Sequence, residues 1–124
     1  MLDLYDLLAK IKQRPSLYLG KRSLSHLHVF IDGYTFACRQ IGIPITAQEK
    51  DFEEFQEWIE HRFKQANTQS WSRIIIFYSE DETDALKRFF ELFEDFLKRE
   101  KLPKNDTINK VEMADKFSIV AGSS

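Results

Sequence analysis

The chain has 124 residues and a mass of 14.7 kDa, which predicts one domain with one core. Its hydrophobic fraction of 43% and charged fraction of 31% are typical of a globular protein, and only four glycines and three prolines disfavour a turn-rich β fold. The single Cys38 excludes an internal disulfide, and no apolar run is long enough to span a membrane. Because the N-terminus also lacks a signal-peptide pattern, we expect a cytoplasmic protein.

Two apolar stripes in the first part of the chain predict helices, because their members are three and four residues apart. The first, over residues 3–13, consists of Leu4, Leu7, Leu8 and Ile11. The second, in a helix from Ser23 or Ser25 to Gln40, consists of Leu24, Leu27, Ile31, Tyr34, Cys38 and Ile41. Asp3 can cap the first helix and Pro15 ends it. Residues 16–20 then connect the two helices, packed on the core.

Two glycines bear on the second helix. Gly42 occupies the position just after it, where a helix C′ glycine belongs. Gly33 lies inside it and costs about 1 kcal/mol of helix propensity relative to alanine. We interpret Gly33 as the point of a close helix crossing. A partner that approaches the backbone there is the alternative interpretation.

The middle of the chain predicts a third helix and an ambiguous segment. Thr46 and Glu49 form a capping-box pattern that opens a helix to about Gln65. Its apolar face consists of Phe52, Phe55, Ile59 and Phe63. Residues 71–78 fit both a short buried strand and a helix capped by Ser70, but only residues 117–121 could pair with a strand there. We therefore favour a helix.

A last long helix is predicted from about Asp81 to Lys101, with acidic residues in its first turn, basic residues at its end and Pro103 as its stop. Its wide apolar face contains Ala85, Leu86, Phe89, Phe90, Phe93, Phe96 and Leu97. The predicted fold is an all-α bundle of four to five helices around a Phe-rich core. Residues 1–103 form the helical domain, and residues 104–124 form an irregular tail, either mobile or packed on the domain.

No arrangement of residues predicts catalysis, a metal or a cofactor. His26 and His28 are two residues apart, so they point in different directions on a helix. Glu57 and His61 can meet on one face, but a zinc site needs further ligands. Cys38 lies on a buried stripe, and no glycine-rich phosphate loop or nucleophile motif occurs. We expect a protein that is not an enzyme and has no cofactor.

Binding to nucleic acid is not expected either. One basic cluster surrounds Tyr18 and consists of Lys10, Lys12, Arg14, Lys21 and Arg22. These residues lie at a helix end and in the turn that follows it, where cations stabilise the helix dipole in any case. The sequence pI is about 5.9, and residues 47–100 carry fourteen acidic and eight basic residues. That balance favours a basic partner.

A row of carboxylates is the most informative surface feature. The acidic row consists of Glu49, Glu53, Glu57 and Glu60, spaced four, four and three apart along the third helix. Like charges at this spacing cost a few tenths of a kcal/mol each. One interpretation is a solvated face that aids solubility. The other is a docking strip that attracts a basic partner, with Trp58 as an aromatic anchor or as a cap on the edge of the core.

Three segments resemble a known group of proteins. They are Arg14-Pro15-Ser16-Leu17-Tyr18-Leu19-Gly20, Phe30-Ile31-Asp32-Gly33-Tyr34, and the Trp71 segment leading to Ala85, Phe89-Phe90 and Leu92-Phe93. Over residues 8–97 the chain resembles small bacterial immunity proteins of polymorphic toxin systems, including contact-dependent inhibition. The pattern R-P-x-x-Y-L-G, with Arg14, Pro15, Tyr18 and Gly20, is its most distinctive part. This motif is either architectural or part of a binding site.

The resemblance implies a small, catalytically inert, cytoplasmic protein that binds a cognate toxin domain and blocks it. Many such toxins are nucleases with basic active sites, so the acidic row would imitate nucleic acid. The alternative function is a self-associating structural or regulatory domain. Exposed aromatics near Trp71 and Tyr78, together with the apolar residues 117–121, would then form a homodimer face.

Overall fold

The computed structural model describes residues 2–65 and 69–100 of the chain. These residues form seven helices and no strand. The helices are α1 (Leu4–Gln13), α2 (Pro15–Leu19), α3 (Leu24–Gln40), α4 (Ala47–Glu53), α5 (Phe55–Arg62), α6 (Trp71–Phe77) and α7 (Glu82–Leu97). The predicted all-α fold with a Phe-rich core is confirmed. The predicted C-terminal tail, residues 104–124, lies outside the described residues.

The helix starts follow the predicted caps. Asp3 Oδ1 accepts a hydrogen bond from the Leu4 amide at 2.7 Å, and Ser23 Oγ accepts one from the His26 amide at 3.2 Å. At the end of α3, Gly42 has a φ of +86°, the left-handed conformation that favours glycine. The buried stripe of α3 is correct up to Cys38. Ile41 is wrong as a member, because it lies beyond the last turn and is 74% exposed.

Two more helical segments are present than the five that the stripes predict. Residues 16–20 were expected as a connection, but Pro15 starts a short helix there, since its fixed φ suits the first helical position. The predicted helix from 47 to about 65 divides at Glu54. The Glu54 amide donates to the Asp51 and Phe52 carbonyls, so the turn tightens between α4 and α5. Phe52 and Phe55 stack across this turn with ring centroids 5.2 Å apart.

The ambiguous segment is helical, as favoured. Ser70 Oγ accepts from the Arg73 amide at 3.4 Å and caps α6, and Trp71, Ile74 and Ile75 are buried. Phe55 lies at the centre of the core and is fully buried. Six aromatic rings lie within 6.2 Å of its ring centroid: Phe52, Trp58, Trp71, Phe89, Phe93 and Phe96. This cluster joins α4, α5, α6 and α7.

The interpretation of Gly33 as a helix crossing within the domain is wrong. Gly33 is exposed, and a Cβ added to it would have no heavy atom of the described residues within 4 Å. Packing among residues 2–65 and 69–100 therefore does not require glycine at this position of α3.

Candidate binding surface

The acidic row does not form one line on one helix. Glu49 and Glu53 lie on α4, Glu57 and Glu60 lie on α5, and the tightened turn at Glu54 separates the two pairs. Glu53 and Glu57 are exposed, whereas Glu60 is half-buried and accepts a hydrogen bond from Gln56 at 2.7 Å. The exposed part of the row is therefore Glu53 and Glu57.

Glu49 is a structural residue and does not belong to an exposed strip. Its side chain is 5% exposed, and its Oε1 lies 2.9 Å from Nη2 of Arg39 on α3. The Glu49 amide donates to Thr46 Oγ1 at 3.1 Å, so half of the predicted capping box forms. The carboxylate, expected to complete that box, pairs with Arg39. The prediction of four uncompensated charges is therefore wrong for Glu49.

Trp58 is half-buried on α5 and faces the aromatic core. Its ring lies 5.9 Å from that of Phe55 and 5.6 Å from that of Phe96, with the Arg62 guanidinium 5.4 Å from its centroid. Of the two roles considered for Trp58, this packing supports the cap on the edge of the core.

The surface beside Glu53 contains an open groove, the α3–α4 groove, of about 620 Å³. Its apolar lining includes the buried side chains of Ile31 and Trp71 and the half-buried ring of Phe52, and the buried Glu49 also lines it. Its exposed lining includes the carboxylates of Asp32 and Glu53 and the side chains of Phe36 and Ile45. Apolar and aromatic surface bordered by carboxylates is the composition of a recess that accepts an apolar side chain flanked by lysine or arginine.

His28 lines this groove and lies between a serine and an aspartate. The order Ser72, His28 and Asp32 superficially resembles a catalytic nucleophile, base and acid. His28 Nδ1 lies 2.6 Å from Ser72 Oγ, and His28 Nε2 lies 3.7 Å from Asp32 Oδ2. Ser72 is buried, and the His28 ring stacks on Trp71 at 4.5 Å. Because the hydroxyl lies in the α3–α6 interface, a substrate carbonyl has no route to it. The contact joins α3 to α6.

The motif R-P-x-x-Y-L-G has an architectural role. The Arg14 carbonyl accepts from the Leu17 and Tyr18 amides, and Pro15 starts α2. Tyr18 packs partly buried against the core, and Gly20 ends α2 with a φ of +82°. Of the two roles considered for this motif, the geometry supports the architectural one.

Two polar networks were not predicted from the sequence. Tyr5 Oη donates to Asp51 at 2.5 Å, and Asp51 pairs with Arg99 at 2.6 Å. Glu82, at the start of α7, accepts from the Ser25 amide at 2.9 Å and from its hydroxyl at 2.6 Å. Burial opposes ionisation of Glu82, but the hydrogen bonds from the serines outweigh it and lower its pKa. Since these partners are 46 to 59 residues apart, local patterns cannot reveal them.

No family model, curated protein or solved structure matches this chain. Among residues 2–65 and 69–100, no helix is both long and apolar enough to cross a membrane. Within the same residues, no group of three or more histidine, cysteine or carboxylate side chains is placed to hold a metal ion.

Proposed function

We propose that this chain is a non-catalytic binding domain, an immunity protein that neutralises a cognate bacterial toxin in the cytoplasm. The observation that carries the proposal is the α3–α4 groove, whose aromatic lining lies beside Asp32 and Glu53. The resemblance over residues 8–97 supports the same class. The partner's binding surface is basic, as in a nuclease active site, and inserts an apolar side chain into the groove.

The two parts of this surface have different physical roles. Carboxylates at its edge speed association with a basic partner and make the rate depend on salt. The apolar lining slows dissociation, because removing apolar surface from water stabilises the complex. Exposed Glu53 borders the groove and Glu57 follows one turn later, so both belong to the steering part.

A growth-rescue assay tests the function. The toxin candidate is the C-terminal domain encoded by the neighbouring upstream gene, expressed under tight control with or without this protein. Restored growth together with a co-purifying complex is the expected result. A harmless neighbour, or toxicity without rescue, would contradict the immunity function.

Charge reversal then tests the surface. We expect the double substitution Glu53→Lys and Glu57→Lys to weaken the complex about 100-fold at low salt and to reduce its salt dependence. The matched control is Glu80→Lys with Glu91→Lys, since these exposed acids border a separate cavity between α1 and α7. If both double variants bind equally well, the acidic surface around the groove is not the interface.

A further inference from the structure

The part of the exposed side of α3 that is centred on Gly33 carries no charge, whereas Asp32, 72% exposed, lies at its flank. This part consists of His26, Val29, Gly33, Phe36, Ala37 and Gln40, all of them exposed. The only Asp, Glu, Lys or Arg residues of α3 are Asp32 and Arg39, and both line the α3–α4 groove at its flank. By contrast, α7 carries seven such residues among its sixteen. An exposed helix face without charge, in a chain with 31% charged residues, is typical of a surface that another helix covers.

Gly33 lies in the middle of this face, and no contact with the described part of the chain requires a glycine there. Its helical position costs propensity, and nothing among the described residues approaches the site of a Cβ. Val29 on one side is 72% exposed and Phe36 on the other is 66% exposed. A glycine between two large exposed side chains leaves a gap where a second helix can approach the backbone closely.

The order of residues around Gly33 favours one particular occupant, a second copy of this chain. With a twofold axis at Gly33, a residue a given number of positions before Gly33 faces the residue the same number of positions after Gly33 in the partner helix. Seven residues away these are His26 and Gln40, which can form a hydrogen bond. Four residues away they are Val29 and Ala37, a larger residue against a smaller one.

Three residues from Gly33 the pair is Phe30 and Phe36, two aromatic rings. Phe30 is half-buried and Phe36 is exposed, so each ring has surface to contribute. Each of these three pairs is thus complementary in polarity or size. A foreign helix requires no such arrangement, whereas an isologous interface depends on it.

We propose that the chain forms a twofold-symmetric dimer in which two α3 helices pack antiparallel with their closest approach at Gly33. The face is about 21 Å long from His26 to Gln40, given 1.5 Å per residue. One helix pair buries less area than a standard protein interface, so we expect a dissociation constant in the micromolar range. The proposal does not rest on the toxin-binding function, although Phe36 belongs to both surfaces, and the isolated protein is sufficient to test the dimer.

Sedimentation equilibrium of the full chain, from low to high micromolar concentration, tests the dimer. We expect a mass that rises from 14.7 kDa towards twice that value. Val29→Glu should raise the dissociation constant at least about tenfold, because two carboxylates become buried against the partner's Ala37. Phe77→Glu on α6 is the matched control, since Phe77 is 78% exposed and borders a cavity that no residue of α3 lines, and it should leave the dimer intact.

A compensating substitution tests the antiparallel register. Ala37→Lys alone should also weaken the dimer, whereas Val29→Glu combined with Ala37→Lys should restore it through two Glu–Lys pairs across the axis. Both residues are exposed, so each variant should fold, as circular dichroism can verify. A chain that stays monomeric, a dimer insensitive to Val29→Glu, or a double variant that does not recover would each overturn the proposal.

Gly33→Ala separates the dimer from the stability of the monomer. Alanine fits Gly33 without strain and raises helix propensity, so the thermal midpoint measured at low concentration should rise. The same methyl group lies at the closest approach of the two helices and should weaken the dimer several-fold. If the midpoint rises and the dimer is unchanged, the close approach at Gly33 is wrong.

Discussion

Arg99 and Asp51 form a buried ion pair that fastens the end of α7 to α4. The Arg99 Nη2 atom lies 2.6 Å from Asp51 Oδ1, and the two side chains are 10% and 3% exposed. Arg99 also donates to the Phe96 carbonyl at 2.9 Å and lies 3.7 Å from the Phe96 ring centroid. One guanidinium therefore satisfies a buried carboxylate and a helix C-terminal carbonyl at the same time.

Removing Arg99 should be strongly destabilising. We expect Arg99→Ala to lower the free energy of unfolding by about 3 kcal/mol, because it leaves Asp51 buried without its cation. Tyr5→Phe should cost about 1–2 kcal/mol, since the hydroxyl donates to the same carboxylate. Urea denaturation measures both. Lys98→Ala is the control, because its pair with Glu94 is exposed on the lysine side and should contribute less than about 1 kcal/mol.

Glu82 should make stability depend on pH in the acid range. Its folded-state pKa lies below its ordinary value of 4.5, so the ionised form stabilises the fold. This contribution is fully present above about pH 4.5 and is lost as the pH falls through the lower folded-state pKa. We expect Glu82→Ala to cost about 1 kcal/mol near neutral pH, from its lost hydrogen bonds to Ser23 and Ser25.

Denaturant titrations of the wild-type protein and the Glu82→Ala variant, from pH 7 down to pH 3, test whether the pKa of Glu82 is lowered in the folded state. The difference between wild type and Glu82→Ala should stay constant near neutral pH and then shrink as the solution becomes more acidic. A difference that grows on acidification would contradict the lowered pKa.

Glu49 and Glu53 should differ in how much their substitution changes stability, although both belong to the acidic row. Glu49→Ala should cost about 1–2 kcal/mol of stability, because Arg39 loses its buried partner. Glu53→Ala should change stability by less than about 0.5 kcal/mol, since its side chain is exposed. Thermal unfolding measures both variants. Equal losses would mean that burial does not distinguish the two carboxylates.

Gly20→Ala should destabilise the chain by about 1 kcal/mol, the reverse of the expected effect of Gly33→Ala. A methyl group has free space at both positions, so the difference comes from the backbone alone: Gly20 has a φ of +82° and Gly33 does not have a positive φ. Differential scanning fluorimetry compares the two. The same substitution should leave toxin binding unchanged if the motif from Arg14 to Gly20 is architectural.

Phe55→Ala should be the most damaging single truncation in the core, with a loss of about 4 kcal/mol. Its ring contacts six others and is fully buried. Phe77→Ala removes the same atoms from a side chain that is 78% exposed and should cost less than about 0.5 kcal/mol. Comparable losses in urea denaturation would contradict the placement of these two rings.

The sequence alone determined the class of fold and the starts of most helices. Apolar residues three and four apart specify a buried face, and Asp3, Thr46 and Ser70 supply oxygens to amides one to three residues away. Both signals act within a few turns of one helix, so a local reading captures them. The sequence also favoured a helix for residues 71–78, because only residues 117–121 could have paired with a strand there, and α6 confirms it.

The tertiary structure decided which polar residues are surface and which are structural. Glu49 and Glu53 are equivalent in spacing, yet Arg39 lies beside only the first, and Asp51 is buried because Tyr5 and Arg99 approach it from distant parts of the chain. The open space around Gly33 also depends on where other helices lie. Burial depends on how all the helices pack together, so the spacing of residues along one helix does not determine it.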